Sequence, residues 1–473
     1  MPYYDHPPLG FWLMAISYKL FGVSELTTRL PSAIAGLLST VFIYKLGILL
    51  TSSFWQVEAK RRRVQNLKKG DSGQARVTYF NEEFTRIYSK IVGFAAALIL
   101  GTSVWYLIRV RSGNLDSLFV FFTILTLYLA YKTDKSIKFL PLTLASFGFL
   151  LLTKTLVGVV LILPIILLSI HHFKRPKNLV YLGIGIALMT IIVLPWYYAN
   201  YKQYPDFIQH HFVDIGSRNS SLSTLFQLKI EQPLFYLHMG VRKWYYIWLL
   251  AVGYLVVSLK FLKKYIFVLL LTNLAILYPF LTNPKTELWH LIPVYVPMAL
   301  IISYAWWDIV TILIPMSSRA IRYLAESVAI PTRLLRLAFG GARNDNFSQL
   351  NNIIYLLPII VIALIQIKIF IPEVYPTTKY TPDDVAISKQ AGKYQQRLIL
   401  DDDFLPLAVY YSGKNIVPLG SMDLPEKTLV GLFQSNQKNF VVITRSWAVN
   451  NLDSNGLEYK VLDQNGSFSI LSR

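Results

Sequence analysis

The chain contains no cysteine, so neither a disulfide framework nor a cysteine-based metal or redox site can form. Charge is scarce as well: 15% of the 473 residues are charged, against about 25% in ordinary soluble domains, while 54% are hydrophobic. A chain of this length with so little charge cannot cover itself with polar surface in water, which excludes a soluble globular protein. Acidic residues are the minor part of that charge: 26 Asp and Glu against 46 Lys and Arg leave a net charge of +20. Nucleic-acid binding would need the excess gathered on one face. It lies instead in short loops between apolar runs, so no nucleic-acid partner is expected. The first residues, MPYYDHPPLG, lack the basic start and apolar stretch of an export signal.

What the chain has in abundance is long apolar runs. A bilayer core about 30 Å thick takes about 20 apolar residues in a helix. Runs near that length fall at 29–54, 87–108, 115–132, 138–153, 155–171, 178–196, 245–262, 265–282, 287–314 and 353–371, which makes about ten spans. Lys154 interrupts one long stretch, and a turn there divides it in two. Residues 9–22 are apolar but short and read as an interfacial helix. Basic residues occupy alternate loops, among them Lys60 to Arg63, then Lys132, Lys135 and Lys138, then Lys174, Arg175 and Lys177, then Lys260, Lys263 and Lys264. The positive-inside rule puts these loops in the cytoplasm. Both termini, the loop 109–114 and the long loop 197–244 then lie outside. Residues 315–352 alternate basic and apolar positions at helical spacing. They read either as a helix on the anionic leaflet or as an ordinary loop helix.

Residues 383–473 change character. RLILDD, NIVPL and NFVVIT are strand-like, VAISKQAGKYQQ and LPEKTLVGLFQ have helical spacing, and LEYKVLDQNGSFSILS is a hairpin around Asn-Gly. The expected fold is therefore an all-α multi-pass membrane bundle, residues 1–371, with a small α/β domain, residues 372–473, outside the membrane.

Ionisable residues near membrane depth are costly, and each invites a functional reading. Asp5 and His6 stand before Pro7 and Pro8, which restrict the backbone. A carboxylate beside an imidazole binds a metal or a phosphate or moves a proton; a plain polar turn is the competing reading. Arg109 and Arg111 lie close to Asp116, which opens a span where the helix dipole also favours a carboxylate. Lys154 either snorkels to the interface or meets an anionic group. In the long loop, His210 and His211 precede Arg218, and one histidine with Arg218 suits a phosphate. Lys285, with Glu287 and His290, leads into a span carrying Pro293 and Pro297. It is placed for a lipid phosphate or as an interfacial anchor.

The strings YYDHPPLGFWL, TRLPSAIAG, RSGNLDSLFVFF, LLTKTLVG, PWYYANYKQYPDFIQHHF and KTELWHLIPVYVP occur in that order. In this the chain, over about residues 1–300, resembles the GT-C superfamily of polyprenyl-phosphate-sugar glycosyltransferases, within it the aminoarabinose transferase and protein O-mannosyltransferase group. HPPLGFWL with the downstream RLPSA is the most specific element. The resemblance implies an inverting transfer from a lipid-phosphate sugar donor to a lipid, glycan or protein acceptor, on the outer face of the plasma membrane. It implies Asp5 and His6 as the acidic-basic pair before the prolines, Asp116 as the aspartate opening a span, His211 and Arg218 as a loop pair, and Lys285 before the Leu-Ile-Pro span. Asp5 and Asp116 are then the catalytic carboxylates. His6, Lys154, His211, Arg218 and Lys285 are the donor-phosphate ligands. A divalent metal at Asp5, His6 or His211 is compatible with the pattern.

The group carries a first transmembrane helix and an outer loop with an acidic general base, and this chain starts within that loop. The sequence therefore leaves two further readings open: a transporter or lipid flippase, and a catalytically inactive membrane scaffold.

Overall fold

In lipid every backbone N–H and C=O must be satisfied within the segment, and unbroken runs of Leu, Ile, Val and Phe meet that demand as helices. The computed structural model describes residues 6–67, 74–154, 158–217, 227–258, 264–283, 286–310, 345–374, 382–421 and 423–473. Their contacts divide into two compact units, 1–374 and 375–473. Asp5, Arg218, Lys285 and nearly all of the basic-apolar stretch 315–352 lie outside the described residues.

Unit 1 is helical. In chain order it holds α1 (Leu9–Phe21), α2 (Glu25–Leu67), α3 (Gln74–Gly101), α4 (Val104–Arg111), α5 (Asp116–Lys135), α6 (Leu140–Leu151), α7 (Ile162–Ser169) and α8 (Leu179–Gln203). It continues with α9 (Glu231–Val241), α10 (Lys243–Val257), α11 (Lys264–Thr282), α12 (Leu288–Val310, opening as a 3-10 turn) and α13 (Asp345–Val374). Among the described residues, Glu25–Ser52, Pro176–Gln203, Lys264–Thr282 and Leu288–Val310 are each long and apolar enough to cross a membrane. Helices stand at the other expected places too, but Ile137–Leu151, Ile162–Lys174 and Lys243–Val257 are shorter. The turn expected at Lys154 is present, following α6. Leu179, Val180, Ile184, Ile191 and Leu194 on α8 are exposed apolar side chains, a surface that hydrocarbon rather than water would cover.

The expected single span 87–108 is in fact broken. Tyr88–Gly101 and Val104–Arg111 meet at 72°. The bend falls at Thr102 and Ser103, whose hydroxyls donate back to Leu98 O at 2.7 Å and Ile99 O at 2.9 Å. Ser103 Oγ thus takes up the Ile99 carbonyl, whose i+4 amide has turned to Leu100 O at 3.1 Å, while Thr102 Oγ1 shares Leu98 O with its own amide. Trp244 Nε1 donates to Thr102 Oγ1 at 3.0 Å and Gln366 Nε2 to Thr102 O at 2.6 Å, so two distant helices satisfy the corner. The expected loop 109–114 accordingly begins as helix α4. The expected outer loop 197–244 is also structured: α8 runs to Gln203, a π-helical stretch covers Gln209–Ser217, and α9 follows. Where α2 crosses α3, a Cβ on Gly47 would stand 2.7 Å from Gly93 Cα, so the backbones approach as only glycine permits.

Helix α5 sets the long axis of the site. Asp116 begins it and Asp134 nearly ends it, about 27 Å away at 1.5 Å per residue. Asp134 accepts hydrogen bonds from Lys264 Nζ and from Tyr265 OH at 2.6 Å.

Unit 2 is a five-stranded sheet with helices α14 (Asp383–Ala391), α15 (Leu405–Ser412), α16 (Leu429–Gln434) and α17 (Val449–Ser454). The strands are β1 (Arg397–Leu400), β2 (Ile416–Pro418), β3 (Phe440–Arg445), β4 (Lys460–Asn465) and β5 (Phe468–Ser472), in the order β2-β1-β3-β5-β4. β1 runs parallel to β2 and β3, and β5 antiparallel to β3 and β4. The two faces bury separate clusters, one around Leu398, Leu400 and Ile443, the other around Ile399, Val442 and Leu471. Asn465 pairs with Phe468, so the two-residue turn is Gly466-Ser467 rather than Asn-Gly. Gly466 takes φ 52°, as a tight hairpin requires of its first turn residue.

Candidate functional site: a buried carboxylate between two cations

The loop 112–115 is shaped by side-chain bonds to its own backbone. Asn114 Oδ1 accepts from the Asp116 amide at 2.9 Å, and Asn114 Nδ2 donates to Arg109 O at 3.1 Å. Ser32 of the RLPSA string holds the loop from α2: its hydroxyl donates to Asn114 O at 2.8 Å and accepts from the Asn114 amide at 3.1 Å. Gly113 lets the loop settle against Thr28, since a Cβ there would lie 2.9 Å from Thr28 O.

The result is a fixed first turn of α5, with Asp116 buried. Lys154, on the turn after α6, donates from Nζ to Asp116 Oδ1. Arg109, at the end of α4, places Nε 3.3 Å from Asp116 Oδ2 but outside hydrogen-bonding geometry. The Asp116 side chain is 8% exposed, Lys154 19% and Arg109 20%. An isolated carboxylate at that depth would be prohibitively costly, whereas one bounded by two cations is tolerated. The group carries one net positive charge.

Arg109 is held in turn by aromatic faces. Its guanidinium stands 4.8 Å from the Trp289 ring centroid and 5.5 Å from that of Trp105. Trp289 lies in the 3-10 opening of α12. That turn is fixed by Glu287, whose amide donates to His290 Nδ1 at 2.9 Å while its carboxylate accepts from the His290 amide. Glu287 and His290 thus build a helix start.

The HPPLG segment docks on the same place. The Leu9 amide donates to Leu152 O at 3.2 Å, two residues before Lys154. A Cβ on Gly10 would stand 2.0 Å from Leu115 Cδ2, so α1 lies flush on the residue ahead of Asp116. His6 precedes this contact and is half-buried. Between α1, α2 and α5 an apolar cavity of about 300 Å³ is lined by side chains including Leu13, Leu30, Ile34, Leu118 and Phe122.

Of the residues singled out by sequence, Asp116 and Lys154 meet directly. His211 has other neighbours. It is 2% exposed and enclosed by Trp196, Tyr197, Phe207 and Phe212, stacked on Phe207 at 5.2 Å. Among the described residues no three His, Cys, Asp or Glu side chains stand together as a metal would need. Arg109 was noted beside Asp116 in the sequence; its aromatic clamp, Trp105 and Trp289, carried no sequence signal beyond the KTELWHLIPVYVP string itself.

Residues 5–54 and 82–198 match the family model described as dolichyl-phosphate-mannose-protein mannosyltransferase. Among curated proteins, the undecaprenyl phosphate-alpha-4-amino-4-deoxy-L-arabinose arabinosyl transferase 1 of Pseudomonas fluorescens is 25% identical over 218 residues, 44% of this chain and 33% of its own length. The corresponding transferase of Yersinia pestis is 24% identical over 251 residues, 51% of this chain and 39% of its own. The chain thus spans about a third of the length of the curated relatives it matches. Its fold is that of ArnT from Cupriavidus metallidurans, solved bound to undecaprenyl phosphate: TM-score 0.62, 16% identity, covering 100% of this chain and 88% of that one. The apo structure of the same protein gives a TM-score of 0.60. The resemblance read from the ordered strings is borne out. Five of those six strings meet around Asp116.

Proposed function

We propose that this chain, which has the GT-C fold of the polyprenyl-phosphate-sugar glycosyltransferases, is itself a membrane glycosyltransferase that takes a sugar from a polyprenyl-phosphate donor. The observation that carries the reading is the buried Arg109–Asp116–Lys154 group, with its one positive charge in excess. A phosphate leaving group needs fixed positive charge where its own charge develops, and a low-dielectric site makes that charge effective. Asp116 lets the two cations stand together before any substrate arrives. The undecaprenyl phosphate bound by the Cupriavidus protein supports a polyprenyl phosphate as the carrier here.

In this reading an acceptor hydroxyl attacks the anomeric carbon, the bond from that carbon to the phosphate oxygen breaks, and the polyprenyl phosphate departs against Lys154 and Arg109. The likeness read from the sequence adds His6, Arg218 and Lys285 to the same anion site. Asp116, with both oxygens facing cations, holds the phosphate ligands in place. Asp5 is the carboxylate that accepts the acceptor's proton. The acceptor is a lipid, glycan or protein hydroxyl. The basic groups gathered around Asp134 mark the cytoplasmic end of α5. Asp116 then faces outward at the plasma membrane, and the C-terminal α/β domain is extracytoplasmic.

The test is transfer of radiolabelled sugar from a polyprenyl-phosphate donor in membranes that hold the chain. Lys154→Ala should abolish transfer while the protein remains in the membrane. Undiminished transfer by the Arg109→Ala, Lys154→Ala double variant would sink the proposal.

A further inference from the structure

Buried polar side chains that lack a partner are few in native proteins, because each costs the full desolvation of the group. Among the described residues, Arg109 Nε, Ser117 Oγ and the Tyr295 hydroxyl are three such groups. Ser117 follows Asp116 on α5. Tyr295 sits two residues beyond Pro293 in α12, buried to 1% exposure. It directly follows the 3-10 opening of α12, which packs on α5 and carries Trp289 against Arg109, and no described residue accepts or donates a hydrogen bond to its oxygen.

The space around that hydroxyl is provided by a neighbour. A Cβ on Gly240, in α9, would stand 1.7 Å from the Tyr295 oxygen. The chain therefore forgoes a side chain at 240 to seat a hydroxyl that bonds no described residue. A phenylalanine would fill the ring's place at lower cost, which is the physical reason to seek a ligand. The neighbouring group carries one net positive charge, so an anionic oxygen is the acceptor that complements it.

We propose that Tyr295 contacts the substrate, its O–H donating to a non-bridging oxygen of the phosphate that binds against Arg109 and Lys154. This deepens the donor reading above and rests on it. The bond would add no charge to the site. It would orient the phosphate, because a hydroxyl on a packed ring offers one donor direction where a lysine ammonium offers several.

The decisive experiment uses the purified full chain in lipid nanodiscs, titrated with undecaprenyl phosphate and followed by thermal shift. Wild type and Tyr295→Phe are compared with and without the lipid. The expected result is an unliganded Tm in Tyr295→Phe equal to or above that of wild type. Apparent affinity for the lipid should weaken by about 10- to 100-fold, as expected on losing a hydrogen bond to a charged acceptor. Equal affinity in the two proteins overturns the assignment of Tyr295 while leaving the donor reading in place. A lowered unliganded Tm in Tyr295→Phe marks the hydroxyl as structural and also overturns the assignment. A wild type indifferent to undecaprenyl phosphate overturns the donor reading and this assignment together.

Discussion

Lys154 and Asp116 stand 38 residues apart in the chain, and the hydrogen bond between them joins the turn after α6 to the first turn of α5. Each would be expensive to bury alone. With Arg109 on the other carboxylate oxygen, the three form a unit whose members depend on one another.

That dependence is measurable. Asp116→Ala leaves two cations side by side, and the loss should be about 3–5 kcal/mol, the usual cost of breaking a buried pair. Lys154→Ala keeps the Arg109–Asp116 contact and should cost less. The double variant should fall short of the sum of the two by at least about 1 kcal/mol. Thermal unfolding in detergent gives the three values; simple additivity would refute the unit.

Trp289 acts on Arg109 through its ring face. Trp289→Ala removes the nearer of two cation–π contacts, worth about 0.5–2 kcal/mol at a desolvated site. Sugar transfer should drop by about tenfold if that loss appears in the transition state. Trp289→Phe keeps a ring and should recover most of the rate. Equal rates in the Ala and Phe variants would mean that the stack has no part in placing the guanidinium.

Gly240 and Tyr295 predict a rescue. Gly240→Ala drives a methyl into the Tyr295 hydroxyl and should destabilise by about 1–3 kcal/mol, as overpacking does. Adding Tyr295→Phe removes the nearest atom and leaves Cζ 2.8 Å from the new methyl, so it should recover part of the lost Tm. A double variant no more stable than Gly240→Ala would show that the contact is not the source of the strain.

The C-terminal sheet carries an acid response of two opposed parts. At Asp402 burial pushes the carboxyl up. The hydrogen bond from Arg445, the Asp403 amide and the Arg445 charge outweigh this and hold it below the usual range. A folded value below the unfolded one means stability that is present above the unfolded value and lost as pH falls through the folded one. At Asp401 burial also pushes the carboxyl up, the Thr444 hydroxyl opposes this, the charge of Asp402 adds to it, and the net shift is upward. Its protonation favours the folded state, so Asp401 contributes in the opposite direction. Asp401→Asn should therefore make the loss of protection on acidification steeper, and Arg445→Ala should flatten it. Amide protection of β1 and β3 in the full chain, followed from roughly pH 6 to pH 3 across the carboxylate range, reads both slopes.

The helices were legible because lipid-length apolar runs have few alternatives, and the strands of the second unit because short β-branched runs end in turn residues. The bend at Thr102 was not legible. Its hydroxyl and carbonyl are satisfied by Trp244 and Gln366, 142 and 264 residues away, and no local pattern announces such partners. At the site, Asp116 was readable as a costly charge opening a span, and Lys154 as a charge interrupting one. That the two neutralise each other is a fact of packing between α5 and α6. Arg109 was visible as a neighbour of Asp116, but the indoles that hold it come from opposite sides of a long sequence gap. His211 showed as one of a pair of histidines, whereas the fold surrounds it with rings that lie before and after it in the same string.

Helix α5 has an acid near each end, Asp116 engaged by Lys154 and Asp134 by Lys264. Sliding the helix by one residue along its own screw would turn both carboxylates by about 100° and release both lysines at once. The helix is thereby latched at two points that must open together. Any motion that keeps both lysines engaged must leave α5 in register and take place in the elements around it.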